Sequence, residues 1–250
     1  MQTIMITGCS SGFGLEIARY FLQQGWKVIA TMRNPREDLL PASESLRILP
    51  LDVTNEASIR DAVKAAGHID VLVNNAGIGL LSVLEGTSTE LARRIFETNT
   101  FGTFAVTRAV VPQMRERRAG IIINVTSTVT LRALPLLAVY TASKAAVNAF
   151  TQSLALELAP FNIKARLVLP GRSPTTRFGE NAMPLMEGAI TEPYADMAGA
   201  VFARVRSSEG DVTYAEDVAK AVWRSATDAS APDSLPAGKD AEAWAAEAGW

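Results

Sequence analysis

Tyr140 and Lys144 stand at i and i+4, ahead of a helix-forming run from Ala145 to Phe150. On a helix this spacing puts both side chains on one face, about one turn apart. A fixed cation beside a phenol favours the phenolate. A tyrosine pKa near ~10 then falls toward working pH, where the side chain can serve as acid or base. Ser127 follows a strand-like run, Ile121 to Val125, and can bring a hydroxyl to the same place. Most Tyr-x-x-x-Lys pairs are ordinary helix-surface neighbours, so the chemistry depends on the elements that position these groups.

The first of those elements lies at the start of the chain. Thr3 to Thr7 read as a strand, Gly8-Cys9-Ser10-Ser11-Gly12-Phe13-Gly14 as a glycine loop, and Leu15 to Leu22 as a helix. Glycines let the backbone turn sharply and leave no side chain between it and a ligand. The helix start offers free N–H groups and a positive dipole end to an anion. At a strand-to-helix junction this pattern reads as a pyrophosphate site rather than a plain turn, although the spacing is G-x-x-x-G-x-G and not G-x-G-x-x-G. Lys27 to Thr31 form the second strand, which ends at Met32-Arg33-Asn34-Pro35. An acid at that place accepts from a ribose 2′-OH and favours NAD, whereas an arginine pairs with a 2′-phosphate and favours NADP. The acid is missing and Arg33 is present, which favours NADP over NAD; the plainer alternative is an arginine that caps a loop.

Leu46 to Leu51 read as a third strand ending at Asp52-Val53-Thr54, with Thr54 as the cap of a helix that runs to about Ala66. Ile69 to Val73 are the fourth strand, followed by Asn74-Asn75-Ala76-Gly77. Small residues there let a flat ligand lie on the backbone, and the Asn74 amide can tie strands together. A long helical stretch from Ser88 to Arg118 contains Asn99, Gly102 and Pro112, and Asn99 marks a local break that frees carbonyls to hold water. Ile121 to Thr126 deliver Ser127, Val139 to Leu158 carry Tyr140 and Lys144, and Asn162 to Leu169 form the sixth strand, ending at Pro170-Gly171. The segment from about 172 to 192 has weak periodicity and many breakers, as expected of a binding loop or lid. Its apolar members Phe178, Met183, Leu185, Met186 and Ile190, with Tyr194 and Met197 beyond, either meet an apolar substrate or simply pack on the body. Helices follow near Ala195 to Arg206 and Tyr214 to Thr227, and the tail with Ala243, Trp244 and Trp250 reads as an interface.

Composition narrows the classes. The 250 residues carry 24 Lys+Arg against 26 Asp+Glu, a net charge of -2, which gives no general attraction to nucleic acid or anionic membrane. Cys9 has no partner for a disulfide, and a single His68 in a loop-like setting speaks against a His-rich metal site, so no metal is expected. No signal-like segment and no apolar run of roughly 18 residues is read, so a cytoplasmic, membrane-independent chain is expected.

Taken together, these stretches resemble the short-chain dehydrogenase/reductase family in its single-domain form, over roughly residues 3 to 228. Thr7 to Gly14 match its T-G-x-x-x-G-x-G and Asn74 to Gly77 its N-N-A-G; Asn99, Ser127, Tyr140 and Lys144 match its catalytic tetrad in order and spacing; Pro170-Gly171 match its P-G turn. The resemblance implies an α/β, doubly wound Rossmann fold, a mainly parallel sheet with helices on both faces, in one dinucleotide-binding domain with a substrate-loop insertion at about 172–210. It implies Tyr140 as the group exchanging a proton with the substrate oxygen, Lys144 lowering its pKa and holding the nicotinamide ribose, Ser127 on the carbonyl, and Asn99 anchoring a water. It implies a cofactor held by Gly8, Ser10, Ser11, Gly12, Phe13, Gly14, Arg33, Asp52, Val53, Asn75, Ala76, Gly77, Tyr140, Lys144, Pro170, Gly171 and Thr175. Asp52 would meet the adenine through its side chain and Val53 through its backbone. Ser173 departs from the β-branched apolar residue usual there, and the final strand is hard to see, Leu235-Pro236-Ala237 being a poor candidate. Residues 22 to 33 have the flavour of hydroxysteroid- and retinol-type members.

The expected activity is NADP-dependent interconversion of a fairly apolar ketone or aldehyde and its alcohol, as a carbonyl reductase or alcohol dehydrogenase, in a homodimer or homotetramer. A non-catalytic dinucleotide sensor on the same fold is the alternative, and it has no need of Tyr140 or Lys144. Lyase or dehalogenase chemistry is a third reading, and the intact nucleotide loop speaks against its cofactor-free version.

Overall fold

The computed structural model describes residues 1–206 and 210–249; Trp250 lies outside them. The strands are β1 (Thr3–Thr7), β2 (Lys27–Met32), β3 (Leu46–Pro50), β4 (Val71–Asn74), β5 (Gly120–Val125), β6 (Ile163–Pro170) and β7 (Ser234–Ala237). The helices are α1 (Gly12–Gln23), α2 (Glu56–Ala66), α3 (Thr89–Phe96), α4 (Gly102–Arg117), α5 (Ala138–Leu158), α6 (Phe178–Ala182), α7 (Ala195–Arg206), α8 (Ala215–Thr227) and α9 (Lys239–Glu247). The strands form one parallel sheet in the order β3-β2-β1-β4-β5-β6-β7. Chain order reverses between β1 and β4, which opens a crevice beyond the carboxyl ends of those strands.

Helices cover both faces, which is why the strands read as continuous apolar runs instead of alternating ones. Ile4 and Ile6 point to the α1 and α8 side, while Met5 points to the α2, α4 and α5 side. On the first side Phe21, Trp26 and Trp223 meet edge to face at 5.1 to 5.8 Å and lock α1 to α8.

Several local expectations are corrected. Asn55, not Thr54, caps α2, its side chain accepting from the Ser58 N–H at 2.9 Å; Thr54 is turned back onto Asp52. The sixth strand begins at Ile163, because Asn162 is left-handed at φ 55°. The stretch from Ser88 is two α-helices joined by a π-helical turn, Glu97–Phe101, so the break at Asn99 is real. The poor strand candidate is β7. Pro236 is tolerated because β7 is an edge strand, bonded only to β6, where a missing N–H costs no ladder bond. The tail is not left free: α9 buries Ala241 and Ala245, and Arg132 lies 5.4 Å from the Trp244 ring. The 172–192 segment contains α6 and 3₁₀ turns, and its apolar residues divide. Leu185, Met186, Ile190 and Tyr194 pack on the body, whereas Phe178, Met183 and Met197 remain exposed.

Trp26→Ala is expected to lower the unfolding free energy by about 3–5 kcal/mol. Leu156→Ala, at a site 78% exposed, should stay within about 0.5 kcal/mol of the parent. Urea denaturation of the two variants tests the assignment of the aromatic cluster as a principal lock.

Candidate active site

The β1 and β4 ends are stitched together. Thr7 Oγ1 accepts the N–H groups of Asn75 and Ala76, both at 3.0 Å, and Asn75 Nδ2 donates to the carbonyls of Thr7 at 3.0 Å and Gly8 at 3.3 Å. The glycines between β1 and α1 do different work. Gly8 is at φ +77° with a would-be Cβ 2.9 Å from Ala76 Cα, and Gly12 is at φ +58°. Gly14 has ordinary helical geometry, but a Cβ there would lie 2.4 Å from the Gly8 carbonyl oxygen. It is a packing glycine, and it does not line the cavity described next. Ser11, the residue before α1, makes no side-chain cap, so the first N–H groups of that helix stay open to an anion.

A cavity of about 1590 Å³ runs along the carboxyl edge of the sheet. Gly8, Ser10, Ser11, Gly12, Phe13, Arg33, Asp52, Val53, Asn75, Ala76, Gly77, Ser127, Tyr140, Lys144, Pro170 and Gly171 all line it. Asn99 and Thr175 do not. Thr175 faces a smaller cavity outside the glycine loop, while Thr176 lines both and rests its side chain 3.6 Å from the Cβ position of Gly12. Asn99 is buried behind the wall. Its Oδ1 accepts from Ile78 N–H at 2.8 Å and its Nδ2 donates to the Ile78 carbonyl at 2.9 Å and to Ser143 Oγ at 3.1 Å. The Asn99 carbonyl accepts from the Thr103 hydroxyl at 3.0 Å, the side chain one turn on.

α5 presents Tyr140 and Lys144 one turn apart, both buried. Ser127 hydrogen-bonds the Tyr140 phenol, and Lys144 Nζ donates to the Val125 carbonyl at 3.1 Å. Burial pushes the phenol well above its ordinary range, and the Ser127 hydrogen bond opposes this only in part. Burial pushes the Lys144 ammonium down to about 8. Within the protein chain, loss of water is the largest influence on both groups and drives their pKa values in opposite directions, where the sequence led us to expect Lys144 to lower that of Tyr140. Burial thus favours the neutral form of both groups. Asn99 and Lys144 converge on Gly77, where a Cβ would lie 3.2 Å from Asn99 Oδ1 and 3.4 Å from Lys144 Nζ.

At the other end of the cavity Asp52 is held below the usual carboxylate range. The Thr54 N–H at 2.9 Å is the main cause, opposed by burial, with the Thr54 hydroxyl at 2.7 Å and the Arg33 charge adding to it. Arg36, which the sequence did not single out, lines the same end and pairs with Asp38. Nothing periodic marks Arg36; only its place three residues after Arg33 hints at it. Two further residues line the cavity: Thr126, which the sequence reading gave no role, and Ser173, which it named only as a departure from the family pattern. Thr126 Oγ1 and Ser173 Oγ are buried without a hydrogen-bond partner in the protein, as befits atoms that await a polar ligand. The Pro170-Gly171 turn is pinned from α9, where Asp240 accepts from Arg172 N–H at 2.6 Å and from Thr213 at 2.7 Å. Gly171 leaves the room for that carboxylate, since a Cβ there would sit 2.2 Å from Asp240 Oδ2. Among the described residues no cluster of His, Cys, Asp or Glu could hold a metal ion, and no helix is long and apolar enough to cross a membrane.

Comparison with known proteins agrees with this geometry. A family model described as short chain dehydrogenase matches residues 2–183. The chain is 41% identical over 199 residues to a 3-ketodihydrosphingosine reductase of Bacteroides thetaiotaomicron, covering 78% of this chain and 72% of that protein. It is 40% identical over 182 residues to retinol dehydrogenase 8 of Bos taurus, covering 68% of this chain but 58% of that protein. A solved short-chain dehydrogenase from Streptomyces avermitilis superposes with a TM-score of 0.84 at 32% identity, covering 98% of this chain and 91% of that one. A serine dehydrogenase complexed with NADP+ gives 0.80 at 30%, covering 96% and 95%. A 3-ketoacyl-(acyl-carrier-protein) reductase from Brucella melitensis complexed with NADH gives 0.78 at 28%, covering 94% and 96%.

The depressed Lys144 pKa has a consequence for folding. Below pH about 8 the folded chain carries a buried ammonium at full cost; between about 8 and 10.5 it sheds that proton while the unfolded chain keeps it, so stability rises with pH. Urea unfolding across this window is expected to show wild type gaining on Lys144→Met as pH increases. A constant gap would mean that the ammonium is not desolvated.

Proposed function

This chain belongs to the short-chain dehydrogenase family and is an oxidoreductase, and we propose that it interconverts a fairly apolar ketone or aldehyde and its alcohol with NADP(H), as one domain with a substrate loop at about 172–210. The observation that carries the reading is one cavity shared by the glycine loop and the buried Ser127, Tyr140 and Lys144.

The residues present fit a dinucleotide. The cradle at Gly8 would be filled by a Cβ, the α1 N–H groups have no side-chain cap, and Thr126 and Ser173, whose buried hydroxyls have no partner in the protein, are among the residues lining the cavity. Gly12 and Phe13 would hold the pyrophosphate, Asp52 and Val53 the adenine, Asn75 to Gly77 the flat middle of the ligand, and Pro170 to Gly171 the nicotinamide end. When bound, the cofactor supplies or accepts the hydride. Tyr140 gives its proton to the substrate oxygen in reduction and takes it back in oxidation. Ser127 donates to the same oxygen as negative charge builds there, in a site already stripped of water. Lys144, charged below about pH 8, holds ribose hydroxyls and favours the phenolate left behind. Asn99 holds the Ile78 backbone and the α5 turn at Ser143 in place beside Lys144, where a water can continue the proton path. The cavity wall at Val129, Leu134, Pro135, Leu137, Leu185 and Val201 supports an apolar substrate. Arg33 beside the Asp52 end, in a position without a competing acid, supports NADP; the NADH-bound relative makes this the first point to test.

Tyr140→Phe is expected to lower kcat for ketone reduction by about 10²–10⁴ while leaving NADPH affinity unchanged. Activity that survives would remove Tyr140 as proton donor, and tight NADPH binding without turnover over a broad ketone panel would favour a dinucleotide sensor. Arg33→Ala is expected to weaken NADPH by about 1.5–3 kcal/mol and to spare NADH. Equal losses, measured by fluorescence titration, would end the 2′-phosphate role.

A further inference from the structure

Phe178 opens the short helix α6, and its ring meets Tyr140 edge-on, with centroids 5.8 Å apart and planes at 60°. The same ring fills a socket at Gly79. A Cβ on Gly79 would lie 2.6 Å from Phe178 Cε1 and 2.7 Å from Cζ. Gly79 is not among the glycines with positive φ, so the backbone does not require a glycine there. The missing side chain serves space and not conformation. Gly79, Phe178 and Tyr140 line one cavity, yet the ring is 42% exposed, so it is seated without being part of the packed core. Its place along the chain is anchored on both sides. Thr176 rests over Gly12, and Leu185 and Met186 pack with Leu80, Ile95 and Tyr140.

We propose that Phe178, seated in the Gly79 socket, is a specificity-determining residue that limits how bulky the group beside the reacting carbonyl can be. This deepens the reading of the chain as a carbonyl-reducing enzyme and rests on it. A substrate oxygen that reaches the Tyr140 and Ser127 hydroxyls brings its carbon substituents against whatever adjoins the phenol. On one side that wall is the Phe178 ring. An aromatic edge gives a slim or flat group a favourable surface and a branched group a clash. A methyl group added at Gly79 displaces the ring from its socket and so reshapes the same passage.

The test compares butanone with cyclohexyl methyl ketone as substrates, with NADPH, in wild type, Phe178→Ala, Gly79→Ala and the double variant. Removing the ring is expected to raise the bulky-to-slim ratio of kcat/KM by roughly tenfold, mainly through KM. Gly79→Ala is expected to shift that ratio in the parent, and this effect should vanish in the double variant, because the two residues act through one contact. NADPH affinity should be the same in all four proteins. A ratio unchanged by Phe178→Ala, or a Gly79→Ala effect that persists without the ring, overturns the proposal. Calorimetric binding of the two ketones with NADP+ present is read by the same criterion. If wild type turns over neither ketone, that arm alone decides the role of Phe178, and only the proposed reaction is in question.

Discussion

The seam between β1 and β4 is the constraint on which the rest of the molecule depends. A parallel sheet that winds outward in both directions has to part its crossover helices somewhere, and here it does so between these two strands. The strand ends come closer than side chains allow: Gly8 faces Ala76 with no room for a Cβ, and Gly14 sits under the Gly8 carbonyl in the same way. A single hydroxyl, Thr7 Oγ1, takes two backbone N–H groups across the gap and replaces the ladder bonds that stop there. Because the seam is closed by backbone and one short side chain, the space above it is left for a flat, charged ligand.

The chemical end of the cavity is governed by desolvation. Lys144 and Tyr140 are both buried, and among the described residues no carboxylate pairs with the ammonium, which donates to the Val125 carbonyl. Burial then favours the neutral form of each group, which raises the phenol and lowers the ammonium. The polar layer beneath is organised with care. Asn74, Asn124, Thr107 and Thr151 exchange hydrogen bonds at 2.8 to 2.9 Å from α4 through two strands to α5. That layer fixes the register between the strand that leads to Gly77, the strand that leads to Ser127 and the helix that carries Tyr140. The three parts of the site are thus held from below by buried polar contacts whose loss would leave unpaired groups behind.

The comparison between sequence and structure separates along physical lines. The strand-loop-helix at Gly8 to Gly14, the placing of Tyr140 and Lys144 one turn apart on a helix and the break at Asn99 were legible, because each is a local backbone feature written in glycines, in i,i+4 spacing or in poor helix formers. The cap of α2 at Asn55 instead of Thr54 was not, since Thr54 could serve equally well until Asp52 took its hydroxyl. Pro236 hid β7, because a proline contradicts a central strand and nothing local says that this one lies at an edge. The contact of Trp244 with Arg132 of the same chain, alongside its reading as an interface residue, was not visible in the sequence either. Thr176, not Thr175, lines the main cavity, a difference of one residue that only the path of the 172–192 segment decides.

By itself the sequence determined the order of elements, the parallel α/β sheet and the set of residues able to do chemistry, because periodicity, glycine positions and side-chain type act over one or two turns of chain. Tertiary structure alone decided which glycines make room for a ligand and which only pack, that the phenol and the ammonium are perturbed in opposite senses, and that Phe178 lies on Tyr140. Those outcomes follow from close approach and loss of water between segments far apart in the chain, and neither distance nor dielectric is written in local sequence.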